Sequence, residues 1–329
     1  FEQFISNKRN GLLILPRYDH SQNMPVVDVI DLIDFKTIHT YQYNISQMAD
    51  KNSMKLEYYH PLILDDGSLI SEGTYTPLFK IDFHSNLKWI NNEIVFHHSK
   101  ILDHDNNILI PGRLKPHSKL VKLYQHPIDD FRDDAIIKIN ADGKILYKKS
   151  IIEILIENKI GDMVNKLKKT VTDPVHLNCI EPAFSDTKYW KKGDLFLSLK
   201  HFSMIILYRP STNKVIDYIS GPFSHQHDVD IVSKNEISIF NNNNFFIENE
   251  YSEVLIYNFE TKKFRKLIND QLKDENFKTS TNGLSHYFKD GALLVEEQNH
   301  GRIILFDNEG KKEWEYVNIN KKNEVGYIK

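Results

Sequence analysis

Residues 193–231 read GDLFLSLKHFSMIILYRPSTNKVIDYISGPFSHQHDVDI. The centre of this stretch, MIILYRPSTNKVIDYI at 204–219, is a hairpin: two runs rich in β-branched and aromatic residues flank a Pro-Ser-Thr-Asn turn. Before it, LFLSLK at 195–200 is the return strand of a longer hairpin that opens at His176. After it, HDVDIVSKNEISIF at 227–240 opens the next one. Two hairpin classes therefore alternate along the chain.

The first class recurs as VVDVIDLIDFKTIHTY, LFKIDFHSNLKWI, AIIKINADGKILY, EVLIYNFETKKFRKL and RIILFDNEGKKEWEY. With Lys36, Asn86, Gly143, Asn213, Lys262 and Gly310 as turn markers, the intervals are 50, 57, 70, 49 and 48 residues. The second class lies between them as HPLILDDGSLI, HSKILDHDNNILI, the His176–Lys200 hairpin, HDVDIVSKNEISIF and SHYFKDGALLVEE. Two hairpins make four strands, and a four-stranded unit repeating every ~40–50 residues is the pattern of a propeller blade. The expected fold is all-β: one six-bladed β-propeller domain spanning residues 1–329, in place of the two domains that length alone suggests.

The long intervals have visible sources. Residues 150–170 carry apolar side chains at 151, 152, 155, 156, 160, 163, 164 and 167, a near-helical stripe that predicts one inserted helix on the rim. SDTKYWKKGD at 185–194 reads as a polar turn, and the Asn run at 241–244 as a solvated loop. LLILP at 12–16 stands alone, and is expected to complete a blade with the segment after Trp314.

Composition excludes several classes. Forty-two Lys and Arg against 45 Asp and Glu leave a net charge of -3, which gives no electrostatic case for nucleic acid. No run approaches 18 apolar residues. A single cysteine, Cys179, permits no internal disulfide and no paired-Cys zinc site; as a strand-start residue it is expected to point away from the channel. There is no G-x-G-x-x-G or Walker loop, and no G-x-S-x-G elbow. No cofactor and no resident metal are expected. Because Phe1 is not Met, removal of an upstream signal or membrane anchor is expected, with extracytoplasmic residence; cytoplasmic residence stays open.

Histidine carries the chemistry. In the second hairpin class a histidine opens the first strand about seven residues before the turn: His60, His98, His176 and His227, with His286 near the corresponding place in the last blade. Repeat-equivalent positions lie on one ring, so these imidazoles should converge at one mouth of the channel. Asn178, Gln226 and Lys200 accompany them. His97, His104, His201 and His225 are expected to be supporting or exposed, and His84, His117 and His126 to lie at the surface.

HLNCIEPAF, residues 193–231, HHSKILDHDNNILIP and TSTNGLSHYFKDGALLVEE together resemble the arylsulfotransferase family over roughly residues 78–318. The specific elements are His176-x-Asn178, the G-P-F-S-x-Q-H-D of 221–228, and the pair His97-His98. The resemblance implies an enzyme that moves a sulfuryl group from an aryl sulfate to a phenol without a nucleotide donor, through a transiently sulfurylated His227. It further implies His98, His176 and Asn178 as partners, with a basic residue that the family supplies as Arg in S-x-R. Here that residue is Lys200, in Ser198-Leu199-Lys200. The charge is kept, while the planar fork that holds two sulfate oxygens is lost. Two other readings stand beside it: a non-catalytic ligand-binding or scaffold propeller, and a metal-dependent ester or lactone hydrolase.

Overall fold

A computed structural model of the chain describes residues 2–4, 9–48, 57–73, 76–123, 130–161, 172–244 and 251–319. The repeat folds into six antiparallel sheets that follow one another in chain order. Blade 4 shows the plan: Leu177–Pro182, Leu195–Leu199, Met204–Arg209 and Lys214–Ile219, each paired with the next from the channel outward. Blade 2 starts at Tyr59–Ile63 and blade 5 at Val229–Ile231. In blade 3 the innermost strand is split into Val95–Phe96 and Ile101–Leu102, both paired to Ile108–Arg113. The molecule is an all-β six-bladed propeller.

Alternation along the strands builds the ring. In Met204–Arg209, the side chains of Met204, Ile206 and Tyr208 pack toward blade 3, while Ile205 and Leu207 pack toward blade 5. The buried apolar residues fall into six clusters, one for each seam between neighbouring blades. Central strands are thus buried on both faces, whereas the outer strand Lys214–Ile219 alternates exposed and half-buried positions up to a buried Ile219.

Ring closure differs from expectation. Leu12–Pro16 begins the strand Leu12–Asp19, which pairs with Met24–Asp31 inside blade 1. It is Glu2–Gln3 that pairs with Lys312–Val317 as an added outer strand of blade 6. Arg9 fastens this junction by ion pairs to Asp290 at 2.8 Å and Glu313 at 2.9 Å. Blade 1 has three strands among the described residues.

Three other expectations change. The helix predicted at 150–170 is Ile151–Glu157, capped by the Ser150 hydroxyl and closed at Lys159, whose positive φ lets Ile160 N–H reach Leu155 O. Its buried face enters the seam between blades 3 and 4, and positions 162–170 lie outside the described residues. The insertion at 185–194 is not merely a polar turn: Trp190 is fully buried against Phe196 and Phe259, and Arg209 clamps Asp194 with two bonds of 2.7 Å. In the Asn run, Asn241 and Asn242 are buried rather than solvated. The Asn241 Oδ1 accepts from Ser224 N–H, and Asn242 Nδ2 donates to Thr279 and Asn282 carbonyls, so two of these amides tie loops together. Among the described residues no helix is long and apolar enough to cross a membrane.

Candidate active site

The histidines reach the channel because the inner strands are irregular where they stand. In blade 2, Tyr59 pairs with Glu72 but Leu62 with Ile70, leaving an extra residue at His60–Pro61. In blade 3, residues 97–100 face only positions 110 and 111 of the partner strand. In blade 4, Leu177 pairs with Leu199 and Cys179 with Ser198, so Asn178 is itself the bulged residue. Bulges re-aim side chains. The backbone of His60, His98 and His176 is left-handed, with φ of 35°, 65° and 54°, a conformation that costs a non-glycine residue ~1 kcal/mol or more. The inner strands thus hold three histidines in a strained backbone that seam packing must offset.

The rings converge. His98 Nε2 lies 3.2 Å from His176 Nε2, and the His98 ring centre is 5.2 Å from that of His227. His60 completes the group, 6.3 Å from His227 between centres. Behind His176, its Nδ1 meets Asp173 Oδ2 at 2.7 Å, and Arg132 holds the same oxygen at 2.8 Å. If His176 donates from Nδ1 to that carboxylate, its Nε2 is the acceptor, and His98 must carry its proton on Nε2. The carboxylate thereby fixes both tautomers.

His227 is buried and mechanically fixed. Its N–H donates to Phe240 O, while the preceding Gln226 donates from Nε2 to Met204 O at 2.9 Å and Ser198 Oγ at 3.2 Å. Asn178 Nδ2 donates to Gln226 O at 2.9 Å. One amide N–H of Asn178 is therefore spent on the backbone next to His227, giving Asn178 a positioning part beside any contact with substrate. Lys200 opens the short turn Lys200–Phe202, and its N–H donates to His176 O. No carboxylate lies within 4 Å of its ammonium among the described residues, in contrast to Lys100, which is paired with Glu72 at 2.5 Å.

Burial sets the charges. His98 is held well below the ordinary imidazole range, first by burial and then by His97 and His227. His176 is lowered less, because Asp173 opposes its burial. Lys200 is lowered by burial, with Asp173 opposing. At pH 7 the His98–His176 pair is neutral.

Sequence reasoning missed Asp173, Asp134 and the Arg132 that holds Asp173. His97, expected to be supporting, lies 3.3 Å from Asp134, and His201 donates from Nδ1 to the Asp173 carbonyl oxygen at 2.6 Å. Asp173, His176 and His201 bring ligand atoms within 4.8 Å of one another and can hold a metal ion. His117 is half-buried on Phe131 O, not at the open surface; His126 lies outside the described residues. His286 does not join the ring of imidazoles but sits farther down the channel, beside Glu296. Cys179 is buried in the seam between blades 4 and 5, bordering that section, its thiol within 3.7 Å of Val229 O and pushed up by burial.

The family model for arylsulfotransferase (ASST) matches residues 66–319. The chain belongs to the arylsulfotransferase family. Membership supports a sulfotransferase-type function for this arylsulfotransferase-family protein. No curated protein matches it. Among solved structures it is similar in fold to a Bacteroides caccae protein of unknown function, at TM-score 0.59 and 12% identity over 96% of each chain. It is also similar to a streptogramin B lyase, at TM-score 0.51 and 9% identity over 100% of this chain and 94% of the other. A catalytically inactive virginiamycin B lyase from Staphylococcus aureus, solved with quinupristin, aligns at TM-score 0.50 and 11% identity over 96% and 87%. At such identities these likenesses speak for the propeller alone.

Proposed function

We propose that this protein transfers a sulfuryl group from an aryl sulfate to a phenol through a sulfohistidine at His227. The observation that carries the reading is the convergence of His227 with the His98–His176–Asp173 chain, beside the Lys200 ammonium, which has no carboxylate partner among the described residues. A neutral imidazole nitrogen of His227 attacks sulfur, the bond from sulfur to the aryl oxygen breaks, and the phenolate leaves with the electron pair. Negative charge gathers on the leaving oxygen and the sulfuryl oxygens, where Lys200 is the cation free to meet it. In the second half, the acceptor hydroxyl attacks sulfur, the N–S bond breaks back to His227, and the phenolic proton passes to the His98–His176 pair. Asp173 stabilises the imidazolium that results.

The scheme demands double displacement. With 4-nitrophenyl sulfate and a series of phenols, initial rates should follow ping-pong kinetics, and His227→Asn should abolish release of nitrophenol. Full transfer by His227→Asn overturns the assignment. A second reading, metal-assisted ester hydrolysis, is favoured by the Asp173–His176–His201 trio; it requires activity that a chelator removes, which the sulfohistidine route does not. Export, suggested by sequence, is a proposal that fractionation of the native cells tests.

A further inference from the structure

Below the imidazoles, the channel changes sign. A cavity of about 200 Å³ is walled by the inner strands of blades 3 to 6. Glu181, Asp228, Asp230 and Glu296 face it, and no Lys or Arg pairs with any of the four among the described residues. The nearby cation, Lys100, is engaged with Glu72, Tyr59 O and His98 O. Three of the acids find only partial help from hydrogen bonds: Glu296 accepts from Gln298 Nε2 at 2.8 Å, Glu181 from Ile231 N–H at 3.4 Å, and Asp228 from Ser285 N–H at 3.5 Å. Asp230 finds none. Its Oδ2 is enclosed and makes no hydrogen bond with any described residue. An enclosed carboxylate oxygen without a donor asks for one.

The kind of cation follows from the geometry. A bare metal ion needs three or more ligand atoms drawn together, and among the described residues the trio that achieves this is Asp173, His176 and His201, not these carboxylates. An ammonium group carries three N–H donors, each reaching ~2.7–2.9 Å, so one or two of these carboxylates hold it, with the remaining donor on a hydroxyl or backbone carbonyl, and three acids need not be drawn together. Beside Ser99, Lys100, Ser285 and His286, the wall carries the apolar side chains of Ile101, Ile180, Leu284 and Leu294, which suit a hydrocarbon or aromatic body. Neither face suits sulfate.

We propose that this carboxylate section of the channel is a binding site for the ammonium group of a small organic amine. It is distinct from the imidazole group above it and holds whether or not sulfuryl transfer occurs. Burial raises Glu181 to about 8, Glu296 to about 7 and Asp228 to about 6, so an arriving ammonium displaces protons from them. The other titratable groups facing the cavity contribute little to that release near pH 7: Lys100 is ion-paired, the Cys179 thiol is protonated, and His286 is lowered by burial.

The test is calorimetric titration of the intact protein with benzylamine hydrochloride, and separately with benzyl alcohol, at pH 7 in two buffers of different ionisation enthalpy. The expected result is saturable binding of the amine at least about tenfold tighter than the alcohol, with net proton release. Asp230→Asn and Glu296→Gln should each weaken the amine by roughly tenfold or more, the scale of one hydrogen bond to a charged group, and leave the alcohol unaffected. If one variant fails to fold, the other variant and the amine-to-alcohol comparison in the wild type still decide. Equal affinity for amine and alcohol, absence of saturable binding, or unchanged affinity in both folded variants overturns the proposal. So does saturable binding of CaCl₂, lost in the same variants, without binding of the amine. His227→Asn should retain amine binding, which separates failure of this site from failure of the sulfuryl-transfer reading.

Discussion

Asp173→Asn should cripple catalysis while leaving the propeller folded. In the wild type, Asp173 Oδ2 receives His176 Nδ1 at 2.7 Å and Arg132 at 2.8 Å. Replacing the carboxylate removes the charge that stabilises His176 when it takes the phenolic proton, and leaves the Arg132 guanidinium nearby without its counter-charge. A hydrogen bond to a charged group is worth about 1.5–3 kcal/mol, which at about 1.4 kcal/mol per decade is about a 10- to 150-fold loss in kcat. The pH profile should move as well. Asp173 is what partly restores the His176 pKa against burial, so its loss drops that pKa further. The acid limb, where the base becomes protonated, therefore shifts to lower pH as the plateau falls. The assay is the pH dependence of nitrophenol release from 4-nitrophenyl sulfate at saturating phenol, alongside a thermal melt. Asp173→Glu, which keeps the charge, should recover part of the rate. An unchanged plateau with an unmoved acid limb would refute the reasoning, as would a rate loss accounted for by unfolding alone.

Lys200→Arg supplies the planar fork that the family resemblance implies at this position, and should raise kcat several-fold if the backbone of the short turn accommodates it; Lys200→Met should lose about 10²–10³, the scale of one fixed donor to a developing oxyanion. Stability should respond to the buried acids. Glu296 has its folded pKa raised to about 7, so the folded state holds a proton that the unfolded state has released above about pH 4, and stability is lost as pH rises through 7. Glu296→Gln should consequently stabilise the fold at pH 8 by on the order of 2 kcal/mol, seen as a raised melting temperature, and change it little at pH 5. The buried histidines act in the opposite sense: His98 and His176 are lowered when folded, so they destabilise the fold as pH drops below about 6.5, where the unfolded chain takes up the protons. Trp190→Ala should cost about 3–5 kcal/mol, seen as a fall of roughly 5–15 °C in thermal melts, because Trp190 is the fully buried anchor of its insertion.

The repeat was legible because tight turns restrict the residues that serve them. Gly143, Asn213, Lys262 and Gly310 all have positive φ at the turns they mark, while in the first two hairpins that conformation falls one position earlier, on Phe35 and Ser85. His98, His176 and His227 were legible for the same reason: they recur at one place in a repeated hairpin. What lacked a repeat-equivalent stayed hidden. Asp173 precedes the first strand of blade 4 and meets His176 only through the left-handed backbone there. The channel acids were invisible differently. In VDI at 229–231 and IEP at 180–182, an acid between apolar residues looks like the ordinary solvent face of a strand, and only closure of the ring turns that face inward. Trp190 was misjudged because seven polar or charged neighbours in 185–194 masked one large apolar anchor.

The central claim is a covalent intermediate on His227, and intact-protein mass spectrometry tests it most directly. Mixed with 4-nitrophenyl sulfate alone, the protein should gain the mass of one SO₃, located at His227 by acid-free peptide mapping, and lose it when a phenol is added. Nitrophenol release with no added mass, or an adduct that persists in His227→Asn, would contradict the account.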